Sequence, residues 1–159
     1  MQRRGFLNRL LGFAATPYLT RAAFAQGDPQ IEKVSKPASE WRKILTPDQY
    51  AVLREEGTER PYSSALNDEK RKGDYVCVAC NLVLFSSDMK YNSGTGWPSF
   101  FRAVPGHVET STDFKLIYPR TEYHCARCAG HQGHIFDDGP KPTGKRYCNN
   151  GVALKFVPA

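Results

Sequence analysis

Beyond its first 25 residues the sequence holds no apolar run of the roughly 20 residues that a membrane-spanning helix needs. Nor does it hold a true cationic excess there. The whole chain of 159 residues carries a formal charge of +6, but Arg3, Arg4, Arg9 and Arg21 all fall in the first 25 residues, with no acid among them. The remainder carries only +2. Nucleic-acid binding therefore has no compositional support. No strand–helix–strand alternation surrounds any cysteine, which argues against a thioredoxin-like redox motif. One cysteine also lacks a neighbour. Of five, four form the pairs Cys77/Cys80 and Cys125/Cys128, and Cys148 stands apart.

The acid-free N-terminus has a layout of its own. Two adjacent arginines, Arg3 and Arg4, precede Phe6 and Leu7, and an uncharged, mostly apolar stretch runs over 10–20. Arg21 follows, then Ala23-Phe24-Ala25, a small-x-small cleavage pattern. This is the order of an export signal, and the arginine pair resembles the twin-arginine type. The competing reading is an amphipathic helix belonging to the domain. Three segments are expected: an export signal over 1–25, a linker or arm over 26–40 rich in polar residues and proline, and one domain over 41–159. The expected location is periplasmic, with a membrane tether if the signal stays uncleaved.

Within the domain, Thr46-Pro47-Asp48-Gln49 is a helix start: Thr46 caps, Pro47 suits the first helical position and Gln49 completes a capping box. Tyr50 and Leu53 give this short helix an apolar face, and Gly57 marks its stop. The stretch 59–73 is polar and rich in turn residues, with no readable element. Short β-like runs follow at 75–78, 82–85, 114–118, 122–124, 134–136 and 152–157, bounded by Gly, Pro, Asn or Asp. The expected class is mainly β, α+β by content, with a short N-terminal helix.

Two Cys-x-x-Cys pairs in one short chain are a strong metal signal. The spacing lets two thiolates of each pair reach one tetrahedral ion, so Cys77, Cys80, Cys125 and Cys128 make a closed, structural zinc site. Disulfides compete with this reading, because an exported protein meets an oxidising compartment. Twin-arginine export, which carries folded proteins, would favour metal loaded beforehand.

Two further clusters carry reactive or aromatic side chains. Residues 93–101 form a Gly- and Pro-rich loop around Trp97, which is either core filling or the wall of a pocket. Residues 130–140 carry His131 and His134, and one of these could replace a cysteine as a metal ligand. With Cys148 and Asn150 they suggest a thiol enzyme, in which Arg146 or an imidazolium lowers the thiol pKa and a histidine donates a proton.

Taken together, Gly94-x-Gly96-Trp97-Pro98-Ser99-Phe100, Gly130-His131-x-Gly133-His134-x-Phe136, Asp138-Gly139-Pro140 and Arg146-Tyr147-Cys148-x-Asn150, with both Cys-x-x-Cys pairs, resemble the B-type methionine sulfoxide reductases. The likeness runs from about Trp41 to Val157. It implies two facing antiparallel sheets in a small barrel-like domain, one structural zinc, and reduction of the R epimer of methionine sulfoxide in peptides and proteins. It makes Cys148 the nucleophile, which is left as a sulfenic acid. His131 and His134 are then the candidate proton donors, His131 first, and Asn150 an orienting group. Trp97 packs on the substrate methyl, with Phe100 and Arg146 as further substrate contacts.

One departure has chemical weight. Many members of that family carry a resolving cysteine where this chain has Thr95. The expected cycle therefore uses one cysteine, with a thioredoxin-like protein or a small thiol as reductant. Asn149, where the family usually has an apolar residue, and Ala129, where it often has Asp, depart as well. The expected partners are oxidised peptides or proteins and the reductant, with no nucleic acid, and the chain is expected to act as a monomer. The alternative is a non-catalytic zinc-ribbon binding module, which leaves Cys148, the histidines and the Trp97 loop unexplained.

Overall fold

Two short helices, α1 (Ala38–Ile44) and α2 (Pro47–Glu55), open the folded part of a computed structural model that describes residues 31–159. The export signal expected over 1–25 lies outside the described residues. At α2 the capping box forms: Thr46 Oγ1 accepts from the Gln49 N–H at 3.2 Å, and Gln49 Oε1 accepts from the Thr46 N–H at 3.0 Å. Left-handed Glu56 ends the helix, one residue before the expected Gly57. Helix α1 was not expected. Pro37 gives it no side-chain cap, and tertiary packing supports it instead. Trp41 is buried, with the Arg54 guanidinium of α2 stacked 4.4 Å from its ring. Ile31 and Val34 of the preceding arm pack on the core, and the Val34 N–H donates to Arg127 O at 2.7 Å.

Among the described residues nine strands follow: β1 (Gly73–Cys77), β2 (Val83–Ser86), β3 (Lys90–Tyr91), β4 (Ser99–Phe100), β5 (Val108–Asp113), β6 (Arg120–Cys125), β7 (His131–Phe136), β8 (Arg146–Asn149) and β9 (Leu154–Pro158). They form two antiparallel sheets, ordered β2-β1-β9 and β3-β4-β8-β7-β6-β5. The sheets face each other across an aromatic core. Phe85 of β2 stacks on Phe100 of β4 with ring centroids 4.0 Å apart, and Tyr75 of β1 meets Phe100 edge-on at 5.0 Å. The mainly β class and the two facing sheets are as the sequence implied.

The strand expected over 114–118 is absent. Those residues are the loop between β5 and β6, because Asp113 Oδ1 accepts the Lys115 N–H at 2.7 Å and turns the chain. The strand lies earlier, in Val108–Asp113, where four consecutive exposed residues give no apolar alternation to read.

The two Cys-x-x-Cys turns are built alike. The Cys77 N–H donates to Leu82 O at 2.8 Å, and the Asn81 N–H donates back to Cys77 O at 2.8 Å. The second turn repeats this with Cys125 to Gly130 O and Ala129 to Cys125 O, both at 2.9 Å. Asn81 and Ala129 are both left-handed, at φ 57° and 54°. The first turn follows β1 in one sheet and the second joins β6 to β7 in the other, so the four sulfurs meet where the sheets come together.

Candidate active site

Cys148 sits on β8, paired with Ser99 of β4 on one side and His134 of β7 on the other. Gly133 allows the close approach of β7. A Cβ there would lie 1.9 Å from the Cys148 carbonyl oxygen, so no larger residue fits this register. Beside Cys148 is a cavity of about 120 Å³ lined by Thr58, Trp97, Arg120, His134, Phe136 and Asn150, among others.

Each wall is held by a partner. The Trp97 indole N–H donates to Glu59 O at 3.2 Å. The Glu59 carboxylate in turn takes the N–H groups of Gly151 and Val152, and the Glu59 N–H donates to Asn150 Oδ1 at 3.0 Å. Asn150 Nδ2 donates to Gln132 O at 3.0 Å, which leaves its side chain rigid at the cavity edge. The Arg146 guanidinium lies 4.3 Å over the Phe136 ring and forms two 2.8 Å bonds to Asp138. Arg146, expected as a substrate contact, thus packs on Phe136 and also reaches the Cys148 thiol, whose pKa it lowers. Phe100, also expected as a substrate contact, does not line the cavity. It is fully buried, stacked on Phe85 in the core.

The two histidines have separate acids. His134 Nε2 lies 2.8 Å from Asp113 Oδ2, and Arg120 bonds the same carboxylate. The Lys115 N–H, His134 and Arg120 together hold the Asp113 carboxyl well below the ordinary range, so it is ionised. His131 Nδ1 lies 2.6 Å from Glu122 Oε1. The His131 ring is buried 5.5 Å from that of His134, and its Nε2 has no hydrogen-bond partner among the described residues. Burial pushes its pKa down, against the pull of Glu122. His134 lines the Cys148 cavity, whereas His131 lines a recess with Leu53, Ser111 and Glu122. Of the two histidines, His134 is thus the one that shares the cavity with Cys148.

The Cys148 thiol departs from its expected state. Burial pushes its pKa above the ordinary value, although Arg146 and the Thr95 hydroxyl pull it back down. Desolvation outweighs the nearby cation.

The other four cysteines are gathered elsewhere. The sulfurs of Cys77, Cys80, Cys125 and Cys128 all lie within 4.8 Å of one another. The closest cross pairs, Cys77–Cys128 at 3.7 Å and Cys80–Cys125 at 3.5 Å, are far longer than a disulfide of about 2.05 Å. They suit a tetrahedral ion, whose sulfurs sit roughly 3.8 Å apart for metal–sulfur bonds of about 2.3 Å. Packing four thiols together drives their ionisation apart. Cys77 and Cys125 are pushed up and Cys128 down, chiefly by hydrogen bonding among the sulfurs. Gln132 Nε2 and Arg54 Nη2 donate to Cys77 and Cys128 Sγ, each at 3.5 Å, as groups around anionic ligands do. These residues fit a metal ion.

A family model described as the SelR domain matches residues 45–158, which takes in both cysteine pairs, both histidines and Cys148. The chain belongs to the SelR-domain family. Its relatives include a protein named peptide methionine sulfoxide reductase MsrB from Methanosarcina barkeri, 53% identical over 124 residues, which are 77% of this chain and 87% of that one. A protein of the same name from Leptospira interrogans is 52% identical over 125 residues, covering 78% and 95% of the two chains. Another from Bradyrhizobium diazoefficiens is 53% identical over 128 residues, covering 80% and 92%.

Several residues of this SelR-domain site escape a reading of the sequence. Asp113 and Glu122 reach the histidines only through the register of β5, β6 and β7, and nothing local marks them. Glu59 lies in a stretch without a readable element. Gln132 alone had a visible sign, since it stands between the two histidines of the 130–134 motif.

Proposed function

We propose that this chain reduces the R epimer of methionine sulfoxide in peptides and proteins to methionine. The observation that carries this reading is the cavity where Cys148, His134 and Trp97 meet, while the other four cysteines are gathered at a separate centre. Family membership and the printed names of the relatives support the reaction class. The preference for the R epimer is an inference from the motif resemblance.

Substrate enters with its S-methyl group against Trp97 and Phe136. The Cys148 sulfur attacks the sulfoxide sulfur, and the thiol proton passes through His134 to the sulfoxide oxygen. The S–O bond breaks, the oxygen moves to Cys148 as a sulfenic acid, and the thioether leaves as methionine. A raised thiol pKa suits this route, since the proton is still present to be transferred. Asp113 holds the His134 ring in place through its 2.8 Å contact with Nε2. Asn150, Trp97 and Phe136 position the substrate. An external thiol then attacks the sulfenic acid, releasing water and leaving a mixed disulfide, and a second thiol frees Cys148. A thioredoxin-like protein or a small thiol supplies both. The four-cysteine centre holds one zinc ion, which braces the two sheets and takes no part in the reaction. The N-terminal 25 residues act as a twin-arginine signal, so the monomeric protein repairs oxidised exported proteins in the periplasm.

The test is methionine release from separate R and S sulfoxides with dithiothreitol as reductant, for the native chain and Cys148→Ser. R-specific turnover lost in the variant is expected. Equal turnover of both epimers would sink the stereochemical assignment, and turnover of neither would sink the enzyme reading.

A further inference from the structure

The loop between β5 and β6 gathers four of the seven exposed large hydrophobic side chains among the described residues. Phe114 is 74% exposed, Ile117 fully exposed, Tyr118 61% and Leu116 48%. Apolar groups gathered on one loop tip mark interaction surfaces far more often than scattered ones. The loop's own charge is turned the other way, since Lys115 pairs with Glu56 at the end of α2. The two residues that anchor the loop are both parts of the site. Asp113, at its start, bonds His134, and Arg120, at its end, lines the Cys148 cavity. The apolar tip therefore springs from two residues that belong to the site.

We infer that Phe114, Leu116, Ile117 and Tyr118 dock the apolar side chains that flank methionine sulfoxide in an unfolded polypeptide substrate. The inference rests on the proposed reductase reading. A polypeptide that places its sulfoxide side chain in the cavity of about 120 Å³ beside Cys148 runs its neighbouring residues across the surface around it. Methionine is an apolar residue, and its oxidation disrupts cores. The neighbours of a buried methionine that has become oxidised and exposed are themselves apolar. A membrane surface is the weaker occupant. Interfacial segments combine apolar groups with free cations, whereas Lys115 and Arg120, the lysine and arginine of the hairpin, are paired with Glu56 and Asp113.

The test uses the full chain and a variant carrying Phe114→Ser, Leu116→Ser, Ile117→Ser and Tyr118→Ser. These side chains are exposed, and Asp113 and Arg120 are left intact. Two substrates are compared with dithiothreitol as reductant: N-acetyl-methionine-R-sulfoxide, and a ten-residue peptide with one methionine-R-sulfoxide flanked by Leu, Val and Phe. In the variant, kcat/KM for the peptide should fall about tenfold, through KM, with the small substrate within twofold. Equal loss on both substrates, or on neither, overturns the inference. So does a loss seen only when thioredoxin replaces dithiothreitol, which assigns the loop to the reductant. Sedimentation of the native chain, but not the variant, with phosphatidylglycerol vesicles, together with unchanged peptide kinetics, assigns it to a membrane and also overturns it. Turnover of neither substrate by the native chain defeats the reductase reading itself and leaves the docking inference without its basis.

Discussion

His134 Nε2 and Asp113 Oδ2 stand 2.8 Å apart, and the same carboxylate takes the guanidinium of Arg120. One acid thereby fixes a histidine at the Cys148 cavity and neutralises the cation in its wall. Asp113→Asn keeps the shape and removes the charge. It should lower kcat by roughly 100-fold, the scale of lost acid–base catalysis, with KM little changed and the chain still folded by circular dichroism. A kcat within twofold of native would remove Asp113 from the mechanism.

The buried Cys148 thiol gives a pH prediction of definite sign. Its pKa lies above the ordinary value because burial disfavours the thiolate. Alkylation of Cys148 by iodoacetamide in the free enzyme should therefore keep rising with pH past about 8.5, where an ordinary thiol is half ionised. Arg146 lowers that pKa, so Arg146→Met should shift the curve to still higher pH and slow alkylation at pH 8. Peptide mass spectrometry isolates the Cys148 adduct. A plateau below pH 8 in the native chain would contradict the dominance of burial.

The four-cysteine centre ties β1 of one sheet to the β6–β7 turn of the other. Native mass spectrometry and metal analysis should find one zinc ion per chain. Binding energies of structural zinc sites run to on the order of 10 kcal/mol. Cys80→Ser should therefore lose the metal and drop the unfolding midpoint by more than about 10 °C. A metal-free native chain with four oxidised thiols would replace the metal with disulfides.

Thr95 lies near enough to Cys148 for its hydroxyl to lower the thiol pKa. After one turnover without reductant, the native chain should carry a sulfenic acid on Cys148, trapped by dimedone, and no internal disulfide. Thr95→Cys should instead close a 95–148 disulfide in that single turnover. An internal disulfide from Cys148 in the native chain would end the one-cysteine cycle.

The β class, the capping box at Thr46, the two Cys-x-x-Cys turns and the isolation of Cys148 were legible because each depends on residues close in sequence. Turn spacing sets the Cys-x-x-Cys reach, and a cap needs only three residues. Helix α1 and strands β3, β4, β5 and β8 were not legible. They are short or polar, and hydrogen bonds and packing supplied by distant strands hold them.

The sequence by itself determined which side chains were available: one unpaired thiol, two histidines three apart, an indole in a glycine-rich loop and threonine at position 95. Tertiary structure decided how they act. Strand register placed His134 rather than His131 in the Cys148 cavity, brought Asp113 and Glu122 to their separate histidines, buried Phe100 in the core and set Arg146 beside Cys148. Burial then raised the Cys148 pKa despite its cationic neighbour. These outcomes depend on distance and desolvation across the two sheets, quantities that exist only once the chain has folded.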